Sequence, residues 1–538
     1  MVLYTGDMLP QCVVSSEKTH NFRSDDVSAK KTGFGTQTGF ALAAAGSAIG
    51  LGNLWGFPYK VSANGGAAYL FVYIICIVLI GATTMMAEFA IGKNAHANTL
   101  GAFRKVSPKL GWAGLIAVLV PLLILCYYIV LGGFSLKFAL NSYAGNEGIF
   151  ASFAANAGDV ILHTLLFTAL VCLVVSRGVH GGIEKTSKIL MPAVFFFLIV
   201  ISMVTLSLGE GVREGIAYYL HPDFSALTPT ALLSAMGQAF FSLSLGCGVM
   251  ISYGSYAGRD FDIAKTTVAV CVLDVIITTL MGFAIFPAVF HYAAVSGVSA
   301  AELGLGSFGL LFTTLSTVFE DIPVFGRTVS LLFFSMAVIA ALTSAISLLE
   351  AATQYIIQRG KVFRSKAALA ASAFCFAAGL PVIYSLGASL NGQEVMTVFG
   401  RNVFDFLELI TNTLLMPVCA LLSCLAASML LRRRDLGTGR YFTFMVRYIT
   451  PALIVVIEAA GIYELVFPRG QFSGSGLGIV LTALGIAAVC AAVYFAFLKN
   501  ADPGCNADEF RIDALEAEKR RAGLARRWSR PESEDRHE

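Results

Sequence analysis

The stretch GSAIGLGNLWGFP (46–58) lies inside a long apolar run and is poorly suited to a continuous helix. Its first seven residues include three glycines, and each glycine weakens a helix by about 1 kcal/mol relative to alanine. If the run crosses a membrane, a break in the helix persists only where protein, water or ligand satisfies the freed backbone groups. The stretch therefore predicts a broken helix with a functional reason for the break.

A second stretch, FSLSLGCG (241–248), has the same character in a later apolar run. The two breaks fall in the first and sixth apolar runs, which are corresponding positions of two five-helix halves. Matched interrupted spans are the best sequence pointer to the binding site of a transporter. Free carbonyls at such breaks, with Asn53 and the hydroxyls of Ser242 and Ser244, suit a cation, and half-helix amino ends suit a carboxylate. Close packing through small residues is the alternative explanation.

The composition places these runs in a membrane. Of the 538 residues, 57% are hydrophobic and only 13% are charged, whereas soluble proteins carry roughly 25% charged residues. Apolar runs long enough to cross a bilayer recur along the whole chain. The net charge of +3 is too small to indicate a nucleic-acid partner. The sequence therefore predicts an all-α polytopic membrane protein.

About twelve spans are predicted. Their expected limits are 36–60, 67–92, 111–140, 159–176, 187–208, 230–256, 266–291, 327–357, 367–388, 403–432, 445–467 and 474–498. The interrupted apolar segment 302–325 is expected to form a re-entrant or surface hairpin. Residues 1–32 and 499–538 are polar tails, the second with a helix expected over 508–527. Lys and Arg cluster in alternate loops, which predicts that both termini are cytoplasmic in a bacterial inner membrane.

Other polar groups lie inside the spans. Thr343 and Ser344 are adjacent at the middle of span eight, where hydroxyls also commonly bond back to their own helix. Asp274 lies within span seven, and an intramembrane acid is a functional candidate by default. Glu88 and Glu350 lie near cytoplasmic ends, where structural hydrogen bonding is an equal alternative, and Glu458 has no explanation from the sequence. The eleven cysteines and seven histidines form no metal or catalytic pattern, so an enzyme is not predicted.

Five segments carry a resemblance to a known family: GSAIGLGNLWGFPY (46–59), NGGAAY (64–69), GQAFFSLSLGCG (237–248), LTSAISLLE (342–350) and RYITPA (447–452). Together they resemble the bacterial branch of the neurotransmitter:sodium symporters. The resemblance implies the fold of the bacterial leucine transporter, with inverted five-helix repeats over 33–208 and 230–432 and two further helices over 445–498. It also implies sodium-coupled symport of an amino acid by alternating access.

The resemblance implies two sodium sites and a substrate site. Sodium site 1 would use Ala48, Asn53, Ser242 and Asp274, and sodium site 2 would use Gly46, Ile49, Ala340, Thr343 and Ser344. The substrate carboxylate would meet Leu51, Gly52 and Tyr128, and its ammonium would meet carbonyls of Ala48, Phe241 and Ser244 near Ser242. Its side chain would contact Ser47, Ile124, Phe241, Cys247, Ser344 and Leu348, with Tyr128 and Phe241 closing over it.

Three departures from the family shape further expectations. Asp274 stands where Asn is usual, among groups that match a chloride site: Tyr73, Gln238, Ser242 and Thr278. The fixed charge of Asp274 predicts transport without chloride. Gly50 stands where monoamine carriers have Asp, which favours an α-amino acid, and the small Cys247 favours a large hydrophobic or aromatic side chain.

The gates also depart from the family. Gly56 replaces the arginine of the outer gate, so Lys60 with Glu408 of span ten is the hypothesised substitute. At the inner gate Lys31 and Phe34 replace Arg and Trp, and Gln358 replaces an acid. Two rival functions remain open from the sequence: a proton-coupled carrier that uses Asp274 or Glu350, and a substrate-gated channel or receptor.

Overall fold

The fold is almost entirely helical. The computed structural model describes residues 33–146, 148–258, 260–298, 310–322, 324–390, 396–399, 401–433 and 439–466. The helices are α1 Gln37–Ala48, α2 Phe57–Ala63, α3 Ala67–Cys76, α4 Ala82–Ala95, α5 Thr99–Val106, α6 Gly111–Asn141, α7 Ile149–Ala155, α8 Ala157–Ser176, α9 Lys185–Leu206, α10 Val212–Leu220, α11 Pro229–Ser242, α12 Val249–Ser255, α13 Ile263–Ser296, α14 Leu315–Glu320, α15 Gly326–Gly360, α16 Arg364–Leu390, α17 Val403–Leu409, α18 Met416–Arg433, α19 Gly439–Phe444 and α20 Thr450–Val466.

Several helices are extended by wide π-helical turns, in which the backbone bonds reach one residue further than in an α-helix. These turns are Gly52–Gly56, Ile77–Gly81, Val179–Glu184, Leu310–Thr314, Ile410–Leu415 and Met445–Ile449. Two 3₁₀ turns lie at Pro108–Leu110 and Phe224–Ala226. The described strands form one small antiparallel pair, β1 Thr397–Val398 with β2 Arg401–Asn402.

The described residues contain eight helical segments that are long and apolar enough to cross a membrane, or nine if α1 and α2 form one span bent by 61°. The predicted sixth span is divided into α11 and α12, and each of these helices is too short to cross a membrane alone. Helix α20 lies within the predicted eleventh span, 445–467. The predicted twelfth span, 474–498, and the predicted helix 508–527 lie outside the described residues.

Polar side chains at loop ends determine where several helices begin. Thr36 accepts the Gly39 N–H at the start of α1, and Asn98 does the same for Gly101 at the start of α5. Asp262 accepts the Lys265 N–H at the start of α13. Each cap satisfies an amide that has no partner within its own helix. Each of these three helices therefore begins with one otherwise unpaired amide satisfied.

Two packing groups surround the broken helices. Helix α15 packs along α6, α8, α9 and α16, while α4 and α13 pack against α12 and α1, respectively. The described part of the predicted outer hairpin, Leu310–Glu320, is helical, and its Phe312 ring lies 5.0 Å from Phe138 and 5.5 Å from Phe134, both on α6. The two halves of the broken first and sixth spans thus contact long continuous helices, α1 on α13 and α15 and α12 on α4 and α15.

Candidate functional site

A cavity lies where both helix breaks meet. Helix 1 breaks after Ala48, and the chain resumes in the turn Gly52–Gly56. The lining residues are Ser47, Ala48, Gly50, Gly52, Asn53, Ile124, Tyr128, Phe241, Ser244, Cys247, Ser344, Leu348 and Met416. Of the predicted substrate-contact residues, all but Leu51 and Ser242 line it.

Met416 completes the wall and was not predicted. It follows the π-helical turn Ile410–Leu415 of the tenth span. The sequence signal was present there, since Asn412, Thr413 and Pro417 interrupt an apolar run. In the sequence alone, however, nothing in that run indicates that it faces the breaks in the first and sixth spans.

The break between α11 and α12 is stabilised by Glu88, a buried acid on α4. Ser244, Gly246 and Gly248 all have positive φ, at 50°, 72° and 68°, a region that glycine adopts without strain. Gly246 donates its N–H to Glu88 Oε1 at 3.0 Å, and Ser423 donates to the same oxygen at 3.2 Å. Glu88 thus satisfies backbone exposed by the break.

A compact polar cluster surrounds Asp274. Its Oδ1 accepts hydrogen bonds from Ser242 Oγ at 2.6 Å and Asn53 Nδ2 at 2.9 Å. Its Oδ2 accepts one from Tyr73 Oη at 2.6 Å. Asn53 Nδ2 also reaches Thr278 Oγ1 at 3.0 Å, while Asn53 Oδ1 has no hydrogen-bond partner. All five side chains are buried. The arrangement offers a cation a carboxylate charge and a free amide oxygen.

Helix α15 meets the first break through the adjacent hydroxyls. Ser344 Oγ donates to the carbonyls of Ser47 at 3.1 Å and Gly46 at 3.4 Å. Thr343 Oγ1 donates to the carbonyls of Ala340 and Ile339 in its own helix, both at 3.1 Å. In this arrangement Thr343 therefore makes the bond back to its own helix that the sequence left open as an alternative. Hydroxyl and carbonyl oxygens are hard ligands of the kind alkali cations require.

Two aromatic residues lie over the cavity. Tyr128 Oη accepts the Leu51 N–H at 2.9 Å, which satisfies an amide freed by the break. Phe241 is partly buried, and its ring lies so close to Gly52 that a Cβ there would overlap it. Tyr128 therefore touches the break itself, as expected for a carboxylate contact, and Phe241 requires glycine opposite it.

Lys60, the hypothesised cation of the outer gate, is bonded to Gln238 and not to Glu408. Lys60 Nζ donates to Gln238 Oε1 at 2.6 Å, and across the described residues it forms no ion pair with Glu408. Gln238 in turn donates to the Gly52 carbonyl at 3.2 Å, so it is not bonded to the other groups of the predicted chloride-like site.

The inner end of helix 1 is held by a residue that the sequence did not single out. Glu184 is buried, and its carboxylate accepts bonds from Gly35 N at 2.6 Å, Thr36 Oγ1 at 2.8 Å and Lys188 Nζ at 2.6 Å. His180 Nδ1 lies 2.8 Å from it. The signal was the spacing of His180 and Lys188 at four residues on either side of one acid.

The predicted inner-gate residues have separate contacts. Lys31 lies outside the described residues. The Phe34 ring packs 5.2 Å from Phe40 and 5.5 Å from Tyr253, and Gln358 Oε1 accepts the Asn98 N–H at 2.7 Å. Gln358 thus caps the loop before α5.

An ion pair crosses the inner half of the bundle. Arg364 Nη2 pairs with Glu350 Oε2, and Tyr256 Oη donates to Glu350 Oε1 at 2.7 Å. Arg364 Nε also donates to the Val175 carbonyl at 2.8 Å. The group joins the end of α12, in the sixth span, to α8, α15 and α16. Glu350 is therefore a structural partner here, as one of the two sequence interpretations allowed.

Adding one methyl group at Gly50 is expected to weaken substrate binding about tenfold, because overpacking costs about 1–3 kcal/mol. A Cβ there would lie 2.6 Å from both Ser344 Oγ and Tyr128 Oη. Sodium-dependent binding of labelled substrate to purified Gly50→Ala would measure the effect. Gly237→Ala on α11 is the matched control, since its Cβ meets nothing within 4 Å. Equal binding by the two variants would contradict the prediction.

Comparison with known proteins agrees with this architecture. A model of the sodium:neurotransmitter symporter family matches residues 31–148 and 149–500. An uncharacterized sodium-dependent transporter of Bacillus subtilis is 33% identical over 80% of this chain and 97% of its own length. A second sequence, from Methanocaldococcus jannaschii and also described as an uncharacterized sodium-dependent transporter, is 30% identical over 80% of this chain and 90% of its own.

A solved structure shows the same fold. The crystal structure of MhsT in complex with L-phenylalanine superposes with a TM-score of 0.70 at 35% identity, over 79% of this chain and 98% of that one. The predicted fold, a multi-pass helical membrane protein with the architecture of the leucine transporter and broken helices 1 and 6, is therefore confirmed. The prediction that the chain is a sodium-dependent transporter rather than an enzyme is confirmed as well. The chain belongs to the sodium:neurotransmitter symporter family.

Proposed function

We propose that this protein is a sodium-coupled symporter that carries an α-amino acid with a large hydrophobic or aromatic side chain into the cell. The observation that carries the proposal is the cavity between the two helix breaks, whose wall includes Asn53 of the Asp274 cluster and Ser344 of α15. The pocket wall includes the apolar side chains of Leu348 and Met416 and the small Cys247, which favour a hydrophobic substrate side chain. The relative MhsT holds L-phenylalanine in its crystal structure.

The coupling ions are assigned to two sites. Sodium site 1 would take the free Asn53 Oδ1, the carboxylate of Asp274, Ser242 Oγ and the Ala48 carbonyl. Sodium site 2 would take carbonyls of Gly46, Ile49 and Ala340 with the hydroxyls of Thr343 and Ser344, after Thr343 turns from its own helix. The substrate carboxylate would meet Gly52, Leu51 and Tyr128, and Asp274 would replace the chloride that chloride-dependent relatives use.

Transport follows alternating access. Helices of spans one, two, six and seven move against those of spans three, four, eight and nine, which fits the two packing groups around the breaks. The proposed repeats are 33–208 and 230–432, and the proposed location is a bacterial inner membrane with both termini cytoplasmic. The membrane potential adds about 2.3 kcal/mol per sodium charge per 100 mV to inward transport.

Purified protein in liposomes is expected to accumulate one of twenty labelled amino acids under an inward sodium gradient. The accumulation should stop when choline replaces sodium, because substrate affinity depends on occupied cation sites. It should persist when gluconate replaces chloride. Uptake that ignores sodium and follows a pH gradient would overturn sodium coupling, and loss of uptake in gluconate would overturn chloride independence.

A further inference from the structure

Lys60 is joined to the first helix break through one intermediate side chain. Its ammonium donates to Gln238 Oε1, and the Nε2 of the same buried amide donates to the Gly52 carbonyl. Because Lys60 occupies the amide oxygen, the amide must direct its nitrogen toward Gly52. The charge of Lys60 thus determines which end of Gln238 faces the helix break.

The carbonyl that receives this bond begins the wide turn Gly52–Gly56. The same carbonyl accepts the Phe57 N–H, the bond that closes the π-helical turn. Single π-helical turns are rare and concentrate at functional sites. The turn supplies Gly52 and Asn53 to the cavity wall. The hydrogen bond that Gln238 of α11 donates to the Gly52 carbonyl therefore stabilises the shape of the pocket.

Gly56 lies beside this connection. A Cβ on Gly56 would meet Gln238 Oε1 at 3.8 Å, an ordinary van der Waals distance. The amide oxygen that accepts the Lys60 ammonium therefore lies against the last residue of the wide turn.

We propose that Lys60 is a positioning residue for the substrate pocket, acting through Gln238 to hold the Gly52–Gly56 turn in its wide form. This extends the hypothesised outer gate, because the lysine expected to form the gate is also the one that positions the pocket wall. The consequence for transport rests on the proposed function. The effect of Lys60 on the Gly52–Gly56 turn is expected in the protein without substrate as well.

Hydrogen exchange of the purified full-length protein tests the inference without any substrate. Lys60→Gln is expected to speed exchange of the amides in 53–60 by about tenfold or more, since it removes a charge-assisted hydrogen bond that holds the turn through Gln238. Gln238→Ala should give a similar increase, and the double variant should add little to either single change. Lys60→Arg should restore protection. Amides of the buried part of α15 serve as the internal check that each variant is folded.

The matched control is Lys137→Gln, which removes an ammonium bonded to Asp159 at 2.8 Å in another part of the bundle. It should leave exchange in 53–60 unchanged. Unchanged exchange in Lys60→Gln, or fully additive effects of the Lys60 and Gln238 changes, would overturn the inference. In sodium-driven uptake Lys60→Gln should raise KM about tenfold with a smaller change in maximal rate. Failure of the parent protein to accumulate any amino acid would instead refute the proposed function.

Discussion

Replacing Asp274 with alanine is expected to reduce sodium-driven uptake about a hundredfold or more. The carboxylate accepts bonds from Ser242, Asn53 and Tyr73 in a fully buried cluster. Its removal leaves these donors unsatisfied, at about 1–3 kcal/mol for each buried group, and removes the charged ligand proposed for sodium. The initial rate of uptake into liposomes, at equal amounts of folded protein, measures the loss.

Asp274→Asn separates the charge of this side chain from its shape. The amide keeps one oxygen for Asn53 or Ser242 but has no negative charge, so sodium affinity should fall in chloride-free medium. If the fixed charge replaces a bound anion, millimolar chloride should restore part of the uptake in this variant and leave the parent protein unchanged. Full activity of Asp274→Asn in gluconate would contradict the role of the charge.

Breaking the pair between Glu350 and Arg364 is expected to cost about 3–5 kcal/mol of stability, because the remaining charge is left buried without its partner. Glu350 is fully buried, and the Arg364 side chain is 23% exposed. Arg364→Gln should therefore lower the melting temperature of the detergent-solubilised protein strongly and reduce uptake. The double variant Glu350→Gln with Arg364→Gln should melt above Arg364→Gln alone, since it leaves no unpaired charge.

A surface ion pair provides the control for this experiment. Lys265 and Asp262 lie 3.5 Å apart, and the Lys265 side chain is 81% exposed. Exposed pairs contribute about 0–1 kcal/mol, so Lys265→Gln should leave the melting temperature nearly unchanged. A double variant at 350 and 364 that melts no higher than Arg364→Gln would show that the pair's charges are not what stabilises the inner half of the bundle.

The Tyr256 hydroxyl connects this pair to the mobile part of the transporter. Tyr256 follows α12, the inner half of broken helix 6, whereas Glu350 and Arg364 lie on α15 and α16. Under alternating access the inner half of helix 6 must separate from these helices to release substrate. Gln358 stands where the family has the acid of the inner gate, so we expect the Tyr256–Glu350–Arg364 group to contribute to closing the inner half.

The two helix breaks could be predicted from the sequence because their chemistry is local. Three glycines within seven residues, with Asn53 directly after them, disfavour a continuous helix wherever the chain folds. The residues expected around the substrate follow from matching motifs, and most of them line one cavity. The partner of Lys60 was not predicted correctly, because Gln238 and Glu408 both lie far from it in sequence and only packing decides between them.

What the sequence alone determined is the set of spans, their breaks and the family to which the chain belongs, since apolar length and glycine patterns act within one segment. What only the tertiary structure decided is which polar groups meet across segments. Glu184 receives donors from Gly35 and Thr36 about 150 residues away, Glu88 reaches Gly246, and Met416 closes the pocket. These contacts depend on how helices pack against each other, and the spacing within any single helix contains no record of that packing.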